Sequence, residues 1–131
     1  AKALFSKAKK EDRLNHAALL YLGVLALDAG RTSEADKHLS LALRTTAKNH
    51  AVTRMYAARV LQKKGKTEEA LKKINEILET ETTFAAASYT RARLLLAQGD
   101  KEAATEALKE IVKEFADFIP AKTLLNRLDD Q

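Results

Sequence analysis

The chain has 131 residues with no cysteine, one proline and four glycines, and its 23 basic residues outnumber 18 acidic ones for a formal charge of +5. Those counts exclude a disulfide framework, a thiol nucleophile and cysteine-ligated zinc, and no apolar run reaches the roughly 20 residues that a membrane-spanning helix needs. A sequence rich in Ala, Leu, Lys and Glu favours helix, and its mixed charges read as solvated helix surface rather than a polyanion patch.

The organising feature is a period. Gly30, Gly65 and Gly99 lie 35 and 34 residues apart, and each is followed by an alanine, Ala35, Ala70 and Ala104, at one fixed distance. In chain order, Ala1, Phe5 and Ala8 fall one period before Ala35, Leu39 and Ala42. Residues 1–15 are therefore expected to form the second helix of a preceding unit, as in a segment of a longer array. Residues 16–50 follow as the first full unit: a helix carrying Leu19, Leu22, Gly23 and Ala26, a turn at Gly30, and a second helix carrying Ala35, Leu39 and Ala42. Residues 51–84 repeat this with Ala57, Ala58 and Leu61, then Gly65, then Ala70, Ile74 and Ile77. Residues 85–118 do so with Ala92 and Leu95, then Gly99, then Ala104, Leu108 and Ile111. Each glycine supplies the left-handed conformation that ends a helix, and Thr32, Thr67 and Asp100 are candidate caps for the next. Residues 119–131 read as a closing helix with Pro120 in its first turn, and Phe84 and Phe118 are expected to close the junctions between units.

Small residues at Gly23, Ala58 and Ala92, facing small residues at Ala35, Ala70 and Ala104, allow the two helices of each unit to approach closely. The order and spacing of Gly23, Gly30, Ala35, Leu39 and Ala42 resemble the tetratricopeptide repeat, and the later units match except that Ile77 and Ile111 replace the last alanine. Arg91 stands at a usually apolar place. The resemblance implies an all-α fold, a right-handed α-solenoid of antiparallel helix pairs. It would have about eight helices: three full units and a single helix at each end.

No catalytic constellation, cofactor motif or metal-ligand set emerges from the residues. His16, His38 and His50 lack converging ligands and read as surface histidines, and the glycines are isolated rather than clustered around a phosphate site. The resemblance implies a non-enzymatic interaction scaffold whose concave groove holds a peptide or amphipathic helix of another protein. The groove residues it implies are Leu20, Val24, Leu27, Val52, Met55, Arg59, Lys63, Tyr89, Arg93 and Leu96. Apolar area beside arginine suits a partner with acidic residues. The family's carboxylate clamp is missing, its places being filled by Leu20, Val24, Tyr56, Ala86 and Thr90. Self-assembly into a homo-oligomer is the alternative. RNA binding, resting on Lys7, Lys9 and Lys10 and on Lys63, Lys64 and Lys66, is disfavoured because the repeats carry no regular set of base-reading side chains.

Overall fold

A computed structural model describes residues 2–45 and 50–130, with side chains at 15–44 and 50–130. Ala1 and the side chains of Phe5, Ala8, Lys7, Lys9 and Lys10 lie outside that set. Among the described residues there are seven helices and no strands: α1 (Lys2–Asp28), α2 (Thr32–Thr45), α3 (Ala51–Lys63), α4 (Thr67–Thr80), α5 (Ala85–Ala97), α6 (Lys101–Glu114) and α7 (Ile119–Asp129). They fall into two compact units, Ala1–Lys64 and Gly65–Gln131, with the division inside the second repeat.

The helix ends follow the turn chemistry. Gly30, Gly65 and Gly99 have φ of 78°, 83° and 84°, a region closed to most side chains. At the end of α1 the Arg31 amide donates to the Ala26 carbonyl at 2.8 Å and the Gly30 amide to Leu27 at 3.1 Å. Asp100 and Gly99 repeat the pair on Leu95 and Leu96 at 3.0 and 2.9 Å, so carbonyls left open at each helix end are satisfied. Of the three candidate caps, Asp100 accepts from the Ala103 amide at 3.1 Å. Thr32 and Thr67 are instead the first residues inside their helices.

Seven helices among the described residues is close to the expected eight, the one difference being that no break occurs near residue 15. α1 runs for 27 residues through the expected boundary. Between Lys2 and Leu22 there is no glycine or proline, and strong helix formers predominate, so nothing offsets the loss of backbone hydrogen bonds that a break would require.

In the first unit α1 packs on α2 and α2 on α3, around Ala26, Leu27, Ala35, Leu39 and Val60. Ala35 and Ala42 are fully buried. Gly23 marks the closest approach: a Cβ placed there would lie 2.7 Å from Leu39 Cγ and 2.8 Å from its Cδ2. In the second unit α4, α5, α6 and α7 pack in sequence. Ala92, Leu108, Ile111, Ala121 and Leu128 form one core cluster, and Ile74 and Ile77 on α4 are also buried. Pro120 occupies the first turn of α7, where its missing amide is not needed. Phe118, just before that turn, meets Tyr89 of α5 edge to face with centroids 5.7 Å apart.

Gly23→Ala sets two effects of opposite sign against each other. Helix propensity favours the alanine by about 1 kcal/mol, while forcing a methyl into the buried Leu39 side chain costs about 1–3 kcal/mol. The overlap should win, lowering the urea midpoint by an amount equivalent to about 1 kcal/mol. An unchanged or raised midpoint would show that α1 and α2 separate without penalty.

Candidate functional site

The residues expected on a binding face come from α1 and α3 in the first unit and from α5 in the second. They divide by burial. Leu27 and Met55 are 8 % and 3 % exposed, which removes both from a surface role. Leu27 sits in the core cluster of the first unit, because its place near the end of α1 turns it toward α2. Met55 shares the buried side of α3 with Ala58, three residues on. Leu20 is half-buried against the first unit's cluster, and Val24 is also half-buried. Val52 and Lys63 are exposed and Arg59 is partly so.

In the second unit Tyr89 and Leu96 are half-buried against the core, and Arg93 is exposed. The accessible face of each unit is therefore built on an arginine beside a tyrosine. The Arg59 guanidinium lies over the Tyr56 ring, 5.1 Å from its centroid, and that of Arg93 lies over Tyr89 at 6.0 Å. Tyr56 was missed as a site residue, although its spacing of three from Arg59 places the two on one helix face. A guanidinium laid over a ring presents its donors in its own plane, where a carboxylate can meet them.

Arg91 has a different environment. Its Nε donates to Asn75 Oδ1 at 3.0 Å, in a cleft of about 340 Å³ that also includes Leu78, Glu110, Ile111 and Phe115. Arg91 is only partly buried and this hydrogen bond is exposed, so a charge at a usually apolar place in the repeat stays within reach of water.

His16 is not a surface residue as expected: it is 7 % exposed. It lies on the face of α1 turned toward α2 and α3, where its Nδ1 donates to the Ala42 carbonyl at 2.9 Å and its Nε2 lies 3.1 Å from Thr53 Oγ1. His50 Nδ1 sits 2.8 Å from the same hydroxyl and accepts from the Thr53 amide at 3.3 Å, capping α3. The two imidazoles meet edge on at 4.9 Å. Thr53 has one hydroxyl proton, so at most one of the two rings can accept from it. Burial, and secondarily the proximity of His16, hold His50 below the ordinary imidazole value of 6.5. The arrangement ties α1, α2 and the start of α3 together. Among the described residues no group of three or more His, Cys, Asp or Glu is placed to hold a metal ion, and no helix is long and apolar enough to cross a membrane.

Residues 61–128 match the family model of the tetratricopeptide repeat, while no curated protein matches the sequence. Among solved structures, the chain is similar to an O-GlcNAc transferase mutant of Thermobaculum terrenum (TM-score 0.79, 17 % identity), over 89 % of this chain but 22 % of the transferase. It is also similar to the first tetratricopeptide domain of Spaghetti (RPAP3) bound to an HSP90 peptide (TM-score 0.76, 14 % identity, 89 % of this chain and 94 % of that one). The second such domain of human RPAP3, in complex with an HSP70 peptide, has TM-score 0.72 and 15 % identity, covering 92 % of this chain and 99 % of that one.

The lowered His50 value predicts the direction of a pH effect. A folded state that binds its proton less readily than the unfolded state is most stable above the unfolded value, and loses that stability as pH falls through 6.5 and toward the folded value. The melting temperature should therefore be lower at about pH 5.5 than at about pH 7.5, two values one unit either side of the free imidazole. His50→Asn keeps a side-chain acceptor for the Thr53 amide and should shrink that difference. An undiminished difference would assign the effect to another group.

Proposed function

The chain belongs to the tetratricopeptide repeat family, and from that premise we propose that it is a non-catalytic scaffold that holds a peptide or helix of a partner protein. Each unit offers its own binding residues: in the first, Arg59, Lys63 and Val52 on α3 with Leu20 and Val24 extending the apolar area on α1, and in the second, Tyr89, Arg93 and Leu96 on α5. The observation that carries this reading is an arginine recurring one period apart, at 59 and 93, and each time laid over a tyrosine of its own helix, 5.1 Å from the ring in one and 6.0 Å in the other. Aromatic area with a bidentate donor at its edge selects an apolar side chain next to a carboxylate. The partner segment is therefore acidic and amphipathic.

Two of the similar structures hold peptides, and both peptides contain acidic residues. That supports a carboxylate-bearing ligand without fixing how it is held. The residues that fill the family's clamp here argue against capture of a terminal carboxylate. Leu20, Val24 and Ala86 offer no charge, and Thr90 is buried with its hydroxyl donating to the Ala86 carbonyl at 2.9 Å. Recognition instead falls to Arg59 in the first unit and Arg93 in the second, each reading an acidic side chain of the partner.

Arg59→Ala/Arg93→Ala should weaken binding of an acidic amphipathic peptide at least about tenfold, since loss of an arginine anchor typically costs about 2 kcal/mol or more. A peptide of the same length with Gln in place of Glu should bind the unaltered chain weakly. Fluorescence anisotropy with both peptides checks this. Equal affinity for the acidic and neutral peptides, or no effect of the double substitution, would defeat the assignment.

A further inference from the structure

α1 is about twice as long as α2, 27 residues against 14. At about 1.5 Å per residue the two helices span roughly 40 and 21 Å. They are joined by a short turn at Gly30 and packed together, so the N-terminal half of α1 continues past the end of its neighbour. In the C-terminal half, His16, Gly23, Ala26 and Leu27 are buried. A second face of the same stretch is apolar and uncovered: Ala18 is exposed, Tyr21 is 64 % exposed, Leu22 45 % and Leu25 46 %.

Asn15, Ala18, Leu22 and Leu25 follow the alternating steps of three and four that define a coiled-coil seam. Carried toward the N-terminus along the same helix, those steps fall on Glu11, Ala8 and Leu4. The register is also symmetric about Arg13. Leu4 stands as far before Arg13 as Leu22 stands after it, Ala8 as far as Ala18, and Glu11 as far as Asn15.

When two helices pair antiparallel, residues equidistant from the centre of the pair meet. We propose that the uncovered face of α1 is a homodimer interface, in which α1 pairs antiparallel with α1 of a second copy about a two-fold axis near Arg13. Position 4 then falls opposite position 22 of the second copy, 8 opposite 18 and 11 opposite 15, each twice by symmetry. The second copy is the occupant that matches this face, since its complement is written in the same helix. Folding residues 2–11 back onto the stripe within one chain would require breaking α1 where no glycine or proline interrupts it. Leu20 and Val24 lie outside the seam, so pairing leaves the proposed peptide-binding residues in place.

Sedimentation velocity on the whole chain over about a hundredfold range of concentration should show a monomer–dimer equilibrium. Ala18→Glu/Leu22→Glu places charges at two exposed positions, so circular dichroism should retain its helical signal while the dimer dissociation constant rises at least about a hundredfold. Ala8→Cys/Ala18→Cys provides a check on direction. The two sites are about 15 Å apart along one helix, too far for a bridge within a chain, yet they meet across the antiparallel pair and should give a covalent dimer on oxidation. Neither cysteine alone should do so, because each lies about 15 Å from its own copy in that pairing. A chain monomeric throughout, a dimer indifferent to the two glutamates, a dimer that the pair of cysteines fails to cross-link, or one that a single cysteine cross-links as readily as the pair would each overturn the proposal.

Discussion

The close approach of paired helices is the constraint from which the rest of the structure follows. Ala35, Ala70 and Ala104 are fully buried at one place in each second helix, and Ala58 and Ala92 are almost or fully buried at the matching place in the first helices. At Gly23 even a methyl group would overlap Leu39. Small residues at these points let large ones such as Leu39, Ile74 and Leu108 fill the remaining space without exposure. Gly30 and Gly99, at positive φ, then bring the chain reversal inside each unit within a few residues, so α1 and α2, and α5 and α6, touch as neighbours in sequence.

That constraint is written as a period, and the period made the helix pairs legible. The turns at Gly30, Gly65 and Gly99, the buried alanines and the closing helix after Pro120 all lie where spacing alone predicts. Counting periods is weaker evidence about what happens between units. It implied a boundary near residue 15, but a boundary requires residues that end a helix, and α1 has none there. The candidate site was less legible for a related reason. Family spacing assigns a side chain to a helix face without measuring how deeply that face is covered, so Leu27 and Met55 passed as surface residues although both are buried. His16 illustrates the same limit. Its partners, the Ala42 carbonyl and the Thr53 hydroxyl, are far away in sequence and visible only after folding.

The faces left available have separate chemistries. Tyr56 with Arg59 and Tyr89 with Arg93 combine aromatic area with positive charge, so the proposed acidic partner would associate in a salt-sensitive way. The face of α1 that carries Ala18, Tyr21, Leu22 and Leu25 is almost purely apolar, which favours association through burial. The inner face of α1 anchors the first repeat, and its outer face is the one proposed to pair with a second copy.

Whether the arginine and tyrosine faces of α3 and α5 receive the partner is tested most directly by mapping amide and side-chain NMR shifts during titration with an acidic amphipathic peptide. The largest changes are predicted at Tyr56, Arg59, Tyr89 and Arg93, with small ones on the second helices α2, α4 and α6. Changes concentrated on those second helices, with the two tyrosines and two arginines unmoved, would contradict it.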